Sequence, residues 1–525
     1  MMPPNVTSEQ FAAALGAFEK IVGKDWVFSK DEDVALYRDA YSPLWGEKEE
    51  RLASAAVAPA NVEQVQEIVR AANTHRIPLY PISTGKNLGY GGSAPVYSGS
   101  VVLDLKRMNR ILEINEKLAY MVVEPGASFF DVYRALQQRS PKLAISMPAP
   151  GWGSPIGNAL EHGAGTLGRD HFATHCGMEV VLGNGDLLRT GMGAIPNSAL
   201  WQTYNYGYGP FINGIFSQSN FGIVTKMGFN LWHEPETART LMINSWNYDD
   251  LDAFVEACAF LEQINVSRYG AGLGSPLMSA ANDPQVVALI KKSGNAAAAA
   301  DWNQMARDKN RPVFSTMMRF HGPTKIVEAQ IEYAKERFST IAGVTFADGK
   351  TFNFPMDHAQ IEDMTKEAFG IPSLATFAVI SMVGHTGHFF FSPNIPQTGE
   401  AVRKCNQVFH EACEQMGTYW GWAPLGNIFP KTLTIIKDFD AVKDAQVNRR
   451  NREIFLRLIE VAAAHGWSEY RTPATFQDAV MNEFSFNDHA LRRFHETLKD
   501  AVDPNGILAA GRAGIWPKHL RSTRT

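Results

Sequence analysis

Glycine is concentrated where the chain also carries a lysine and a tyrosine: "PISTGKNLGYGGSAP", residues 81–95, follows an apolar run and is rich in residues that bend a backbone. Glycine reaches positive φ at little steric cost, and consecutive backbone N–H groups freed by such turns form a concavity that holds an anion. The spacing is neither G-x-x-x-x-G-K-[ST] nor G-x-G-x-x-G, so on its own the loop reads equally well as a phosphate cradle or as a turn-rich connection. Two more glycine-bearing stretches lie in the same half, "GWGSPIGNALEHGAGTLG" at 151–168 and "YGYGPFINGIFSQSNFGIVTKMG" at 206–228. Several separate loops of this kind suit an extended ligand with a pyrophosphate in its middle. Two other places could do chemistry: His388 among aromatics in "VGHTGHFFFSP", and Tyr470 with Arg471 in "EYRT". By spacing alone the histidine reads as a core residue and the pair as the edge of an amphipathic strand.

The elements that must hold these loops alternate in type. "TSEQFAAALGAFEKIVG" opens with a capping box, Thr7 to Gln10, and spaces Phe11, Leu15, Phe18 and Ile21 on one helical face. "NVEQVQEIVRAANTHRIPLYPIS" predicts a helix capped by Asn61 that runs into a short apolar strand, and the glycine loop follows that strand. "GSVVLDL" and "AYMVVEPG" read as strands around the polar turn "NEK", and "ASFFDVYRALQQR" as a helix after Gly126. "GMEVVLGNGDLLRTG" reads as a hairpin turning at Asn184–Gly185, and "GIVTKMGFNLW" as a further strand. The class is α+β. Beyond about Pro235, longer helical patterns such as "DLDAFVEACAFLEQI" and "GEAVRKCNQVFHEACEQMG" are separated by loops, "GNAAAAADWNQ" among them. The expected organisation is a first segment 1–235, an inserted domain 236–467, and a return segment 468–525 whose "VDPNGILAAGRAGIWP" matches the first in style.

A chain of 525 residues with 45% hydrophobic composition is too long for one compact core and buries at least two. The net charge of -5, with acids and bases interspersed, lacks the basic footprint of a nucleic-acid binder. Cys176, Cys258, Cys405 and Cys413 are widely spaced and read as reduced core residues, which places the protein in the cytoplasm. The first residues show no basic leader followed by an apolar run, and no window approaches the roughly eighteen apolar residues of a membrane span, so no membrane is expected. The histidines are scattered without a ligand spacing, so no metal is expected either.

"PISTGKNLGYGGSAP", "VVLDLKRMNRILEINE", "VEPGASFFDVY", "GMEVVLGNGDLLRTGMGAIP", "QSNFGIVTKMG", "EYRT" and "VDPNGILAAGRAGIWP" together resemble the vanillyl-alcohol oxidase and 4-cresol methylhydroxylase family of FAD enzymes, including eugenol oxidase. The resemblance runs from about Val57 to Pro517 and is densest in the first domain and the tail. It implies a split FAD-binding domain of two α+β subdomains and an inserted cap built on a large antiparallel sheet with flanking helices. Ser83, Thr84, Gly85, Lys86, Asn87, Leu88 and Gly89 would wrap the FAD pyrophosphate. Pro125, Gly126, Gly157, Asn158, Gly163, Gly222, Ile223 and Val224 would make further cofactor contacts, and Arg512 would stand near the electron-rich end of the flavin ring.

The family oxidises para-substituted phenols: a phenolate pushes electron density through the ring so that hydride leaves the benzylic carbon, giving a quinone methide. Tyr90, Tyr470 and Arg471 occupy the motif positions of the phenolate-binding trio, and a guanidinium, always charged and offering a fork of donors, suits a phenolate oxygen. His388 matches the histidine bonded covalently to flavin in the oxidase branch, with His385 a nearby competitor; Ile380 stands where the methylhydroxylase branch has its linking tyrosine. The resemblance also implies a homodimer or an assembly of dimers, a phenolic substrate, and O2 as acceptor. Where the oxidase branch has an aspartate that activates water, this chain has Ala149, which has no proton to exchange and leaves a wider pocket; the substitutes to weigh are Asp170, His171 and His175 in "GRDHFATHCG". The alternatives are a dehydrogenase of the same fold that passes electrons to a cytochrome or other acceptor, and a flavin-binding protein without phenol-oxidising activity.

Overall fold

The computed structural model describes residues 1–148, 150–269, 272–279, 283–293, 299–375 and 387–523. Strands β1 (Val27–Phe28), β2 (Ala55–Val57), β3 (Leu79–Ile82) and β4 (Val101–Asp104) form a sheet in the order β1-β2-β4-β3, with β4 parallel to both β2 and β3. Every residue of β2 and β4 is buried, as expected of parallel strands covered on both faces. The helix Ser8–Val22 starts at the Thr7/Gln10 capping box, and Val62–His75 starts where Asn61 Oδ1 accepts from Gln64 N at 2.9 Å. Their inner faces, Ala14, Phe18 and Val22 from one and Val65, Ile68, Val69 and Ala72 from the other, meet Leu79 and Leu103 in one core. The tail returns here. Leu79 N donates to Ile507 O and Ala509 N to Leu79 O, both at 2.7 Å, so the residues around Leu508 extend the sheet beside β3.

A second sheet is antiparallel throughout: of β5 (Ile111–Asn115), β6 (Tyr120–Val123), β7 (Leu143–Ala144), β8 (His175–Leu182), β9 (Leu187–Arg189), β10 (Gly222–Asn230) and β11 (Trp232–His233), five join in the order β5-β6-β10-β8-β9, and β7 pairs with β11. The expected pairing of "VVLDL" with "YMVV" across one turn is corrected here. β4 belongs to the first sheet, and the partner of β6 is β5, a strand whose alternating polar residues hid it. The hairpin at Asn184–Gly185 is present, with Gly185 at φ +86°.

The remaining strands are β12 (Thr237–Ser245), β13 (Phe314–Gly322), β14 (Val344–Asn353), β15 (His388–Phe391), β16 (Pro393–Pro396), β17 (Leu425–Gly426), β18 (Thr432–Ile435), β19 (Lys437–Asp440) and β20 (Ser468–Glu469). β13-β12-β14 and β17-β18-β16-β20 are both antiparallel, and they are stitched together by residues 273–274, where Leu273 bridges Leu425 and Gly274 bridges Ser315. β15 pairs with β19. Leu251–Gln263, Thr324–Phe338, Gly399–Gln415 and Ala445–Ala464 are helices, and Phe254, Phe338, Phe409 and Phe455 belong to a common core with Leu241, Ile243, Phe391 and Leu433. The alanine-rich stretch is not all loop: a helix runs over Ala299–Lys309 and buries Trp302, while residues 294–298 lie outside the described set. All four cysteines are buried and unpaired. No described helix is long and apolar enough to cross a membrane.

Candidate active site and cofactor cradle

The glycine loop leaves β3 and lines a cavity of about 370 Å³ together with Pro125, the helix start at Gly157 and Asn158, the head of β10, and the tail at Ala509 and Arg512. Ser83, Thr84, Gly85, Lys86, Asn87 and Leu88 all face it, as do Gly222, Ile223 and Val224. Among the described residues, the backbone N–H groups of Thr84 through Leu88 donate to no protein acceptor; the loop closes instead through Tyr90 N and Gly92 N, each 3.0 Å from Asn87 O. Unpaired consecutive N–H groups at a cavity wall are what a pyrophosphate requires, so the residues fit the group that the loop was expected to hold.

Three of the expected cofactor glycines are placed otherwise. Gly89, at φ +80°, does not line this cavity; an added Cβ would lie 2.9 Å from His388 O, so glycine here lets the loop pass under β15. An added Cβ on Gly126 would lie 2.5 Å from Leu105 O, so that glycine serves close backbone packing. Gly163 likewise sits against the Asn158 side chain outside the lining. Arg512 does line the cavity, paired with Glu161. Burial works against its charge, and the Glu161 carboxylate more than restores it.

At one end of the cavity stand Tyr90, Tyr470, Arg471, His388 and Phe390. Arg471 lies 4.0 Å over the Tyr90 ring and donates through a terminal nitrogen to Asn87 Oδ1, and Tyr90 and Tyr470 are hydrogen-bonded to each other. Arg471 Nε is buried without a protein partner among the described residues. A guanidinium N–H left unpaired in a cavity is a donor kept for an anion. Burial first, and then Tyr470, hold the Tyr90 hydroxyl well above its ordinary value; burial also raises Tyr470, so both remain protonated. His388 begins β15, its ring 5.1 Å from that of Tyr41 and 4.7 Å from that of Phe390.

The chain belongs to the vanillyl-alcohol oxidase and 4-cresol methylhydroxylase family. Residues 53–191 match the profile of an FAD binding domain. The 4-cresol dehydrogenase [hydroxylating] flavoprotein subunit of Pseudomonas putida is 30% identical over 524 residues, 98% of each chain. Among solved structures, 4-ethylphenol oxidase from Gulosibacter chungangensis in its isoeugenol complex is 33% identical with a TM-score of 0.85, covering 99% of this chain and 100% of that one. Substrate-bound p-cresol methylhydroxylase is 29% identical with a TM-score of 0.84, covering 98% and 99%. The cofactor of this family member is therefore FAD, and its split α+β domain with an inserted antiparallel cap is the family architecture.

The bases weighed for water activation are not brought to the cavity. Asp170 spends its carboxylate on Phe172 N at 2.9 Å and Ala173 N at 3.3 Å, capping a local turn. His171 is buried between Asn158 and Ser146, both ring nitrogens engaged, and burial lowers it to about 3. His175 bonds Asn213 at 2.9 Å. Ala149, Ile380 and His385 lie outside the described residues.

Sequence reasoning passed over three groups. Gln218, at φ +41°, lines the cavity and donates from Nε2 to Tyr470 O at 2.8 Å; "QSN" was within a quoted motif, but nothing in its type announced the contact. Glu469, adjacent to the trio, is held well above the carboxylate range by burial and accepts from Ser392 N at 3.0 Å. Arg169 pairs with Glu262 at 2.6 Å and with Asn427, while Asn427 Nδ2 donates to Glu262 at 2.8 Å. Its partners lie far away in the chain, so no local spacing could reveal this tie between the first segment and the cap.

Proposed function

We propose that the protein oxidises para-substituted phenols, 4-hydroxybenzylic alcohols and 4-alkyl or 4-allylphenols among them, at the benzylic carbon, through a quinone methide and with O2 as acceptor giving H2O2. The observation that carries this reading is the convergence of Tyr90, Tyr470 and an unpaired Arg471 Nε at one end of the cofactor cavity. Bound FAD supplies a hydride acceptor at its N5. The chain's own work is to bind and charge the substrate. A free phenol has a pKa near 10. Arg471 offers a fixed positive charge, and Tyr470, which accepts the Tyr90 proton in their mutual hydrogen bond, keeps its own hydroxyl proton to donate to the same oxygen, so the anion is favoured there. Electron density pushed from that oxygen through the ring weakens the benzylic C–H bond at the far side.

His388 is the residue we assign to a covalent flavin link, and Arg512, charged in spite of its burial, to the electron-rich end of the ring. Neither Asp170 nor His171 serves water addition. A second reading, electron transfer to a cytochrome or other acceptor, draws on the likeness to a dehydrogenase flavoprotein subunit. One experiment tests both. The purified holoenzyme is mixed with 4-ethylphenol without oxygen and then with air. Bleaching of the flavin followed by re-oxidation within seconds and stoichiometric peroxide is expected. Bleaching that persists in air moves the assignment to a dehydrogenase, and no bleaching by any para-substituted phenol ends the phenol reading.

A further inference from the structure

We infer that the protein has a second aromatic-binding site, one that takes the neutral phenol, in a separate cavity between the first segment and the cap. The inference rests on the phenol reading for the class of ligand. The cavity measures about 300 Å³, within the range of small-molecule sites, and is built from the same chain stretches as the flavin cavity: one stretch lines it at Leu143 and Ala144 and the flavin cavity at Pro148 and Pro150, and Leu167 and Ala164 are likewise divided between them.

Its walls are aromatic. The His321 ring packs 4.3 Å from that of Tyr269 and stacks on that of Phe369 at 5.3 Å, and Phe354 closes on Phe369 at 5.2 Å. Burial holds His321 at about 4, so this imidazole is neutral and behaves as one more aromatic face. The polar groups converge at one place: Tyr133 Oη lies 2.9 Å from His358 Nδ1, and the Glu234 carboxylate lies 3.7 Å from His358 Nε2, beyond hydrogen-bond distance. Among the described residues that carboxylate accepts no hydrogen bond. Among the described residues the lining holds no lysine or arginine, whereas the flavin cavity presents Lys86, Arg471 and Arg512. An acceptor without a donor, in an aromatic wall that also carries the Glu234 and Glu236 carboxylates, selects a flat molecule that gives up a hydrogen bond over an anion, although the Arg319 guanidinium acts on His321 from behind that wall. The two cavities thus suit the same substrate in opposite protonation states, protonated in this one, the outer site, and ionised in the flavin cavity.

The test is calorimetric and ¹⁹F NMR titration of the holoenzyme with 4-fluorophenol, which has no benzylic hydrogen to lose. Two equivalents should bind to the unaltered protein and one to Arg471→Ala, which leaves the outer site. Leu167→Trp, or Ala144→Phe should the first variant lose its flavin or fold, should fill the outer cavity and also leave one. Glu234→Gln should weaken the outer equivalent about tenfold, and 4-fluoroanisole, which cannot donate, should fail to occupy it. A single equivalent in the unaltered protein, two equivalents in both filled variants, or displacement of the outer ligand by benzyltrimethylammonium but not by phenols would overturn the inference. Anaerobic bleaching by 4-ethylphenol separates the two claims: bleaching with one equivalent sinks the outer site alone, and no bleaching with no binding sinks the phenol reading and the outer site with it.

Discussion

Arg471 reaches the cavity beside a residue of its own turn, Tyr470, and over the ring of Tyr90, and its Nε has no partner among the described residues. Arg471→Ala should therefore lower kcat/KM for 4-ethylphenol by about 10²–10³-fold, the scale of losing a preorganised donor to a developing or bound anion, while flavin content is unchanged. Arg471→Lys should recover only part, since an ammonium cannot reproduce the fork. Steady-state rates with the visible spectrum of each variant check this. His388→Ala should release its flavin into the supernatant on acid precipitation, where the unaltered protein keeps a yellow pellet; colour retained in the variant's pellet would refute the link. These residues could be picked out in the sequence because they stand inside short motifs. What could not be read was which of their neighbours would be used up. Asp170 and His171 look like bases in one dimension and prove to be a turn cap and a buried, fully bonded imidazole, because hydrogen-bond partners such as Asn158 and Ser146 are set by folding.

At the scale of elements, β15 and the glycine loop are held at a spacing that leaves no room for a side chain at Gly89. Gly89→Ala meets both a positive φ and a Cβ 2.9 Å from the His388 carbonyl, so it should cost on the order of 1–3 kcal/mol and loosen flavin retention, measured as FAD lost on gel filtration. The tie of Arg169 to Glu262 and Asn427 spans the first segment and the cap, with side chains only 14% and 10% exposed at the ion pair. Removing one member of such a mostly buried pair strands the other, so Glu262→Ala should lose about 2–3 kcal/mol of stability, read from the urea midpoint. Strands and helices with clean periodicity or caps were legible: the helices at Ser8–Val22 and Val62–His75 and the hairpin at Gly185 are all found where their local signals stand. Which strands pair was not. β4 and β6 are near neighbours in the chain and go to different sheets, because β4, whose Val101, Val102 and Leu103 are apolar on both faces, takes a parallel, doubly covered place and the half-polar β5 takes the antiparallel edge.

For the whole molecule, buried histidines tie stability to pH. His171 is lowered to about 3 and His321 to about 4, in both cases first by burial. Unfolded, each takes a proton near pH 6.5 that the folded protein refuses, so stability is full above that value and falls as pH drops toward the folded values. Asp39, raised by burial to about 6, slopes the opposite way between its ordinary range and that value. Comparison with His321→Phe cancels Asp39: between pH 6 and 5 the unaltered protein should lose about 1.1 kcal/mol more than the variant, as read from urea midpoints at each pH. The sequence could announce histidines, but not that His321 would be closed between Tyr269 and Phe369, rings brought from different parts of the cap.

Arg471 and its partner Asn87 are 384 positions apart, and the residues around Leu508 form the edge of the very sheet from which the glycine loop departs. A chain still leaving the ribosome holds the cradle's first wall long before its last one exists. Capture of the yellow cofactor is then an event of the finished polypeptide, and translation products halted before the return segment should emerge colourless however long they are incubated with FAD.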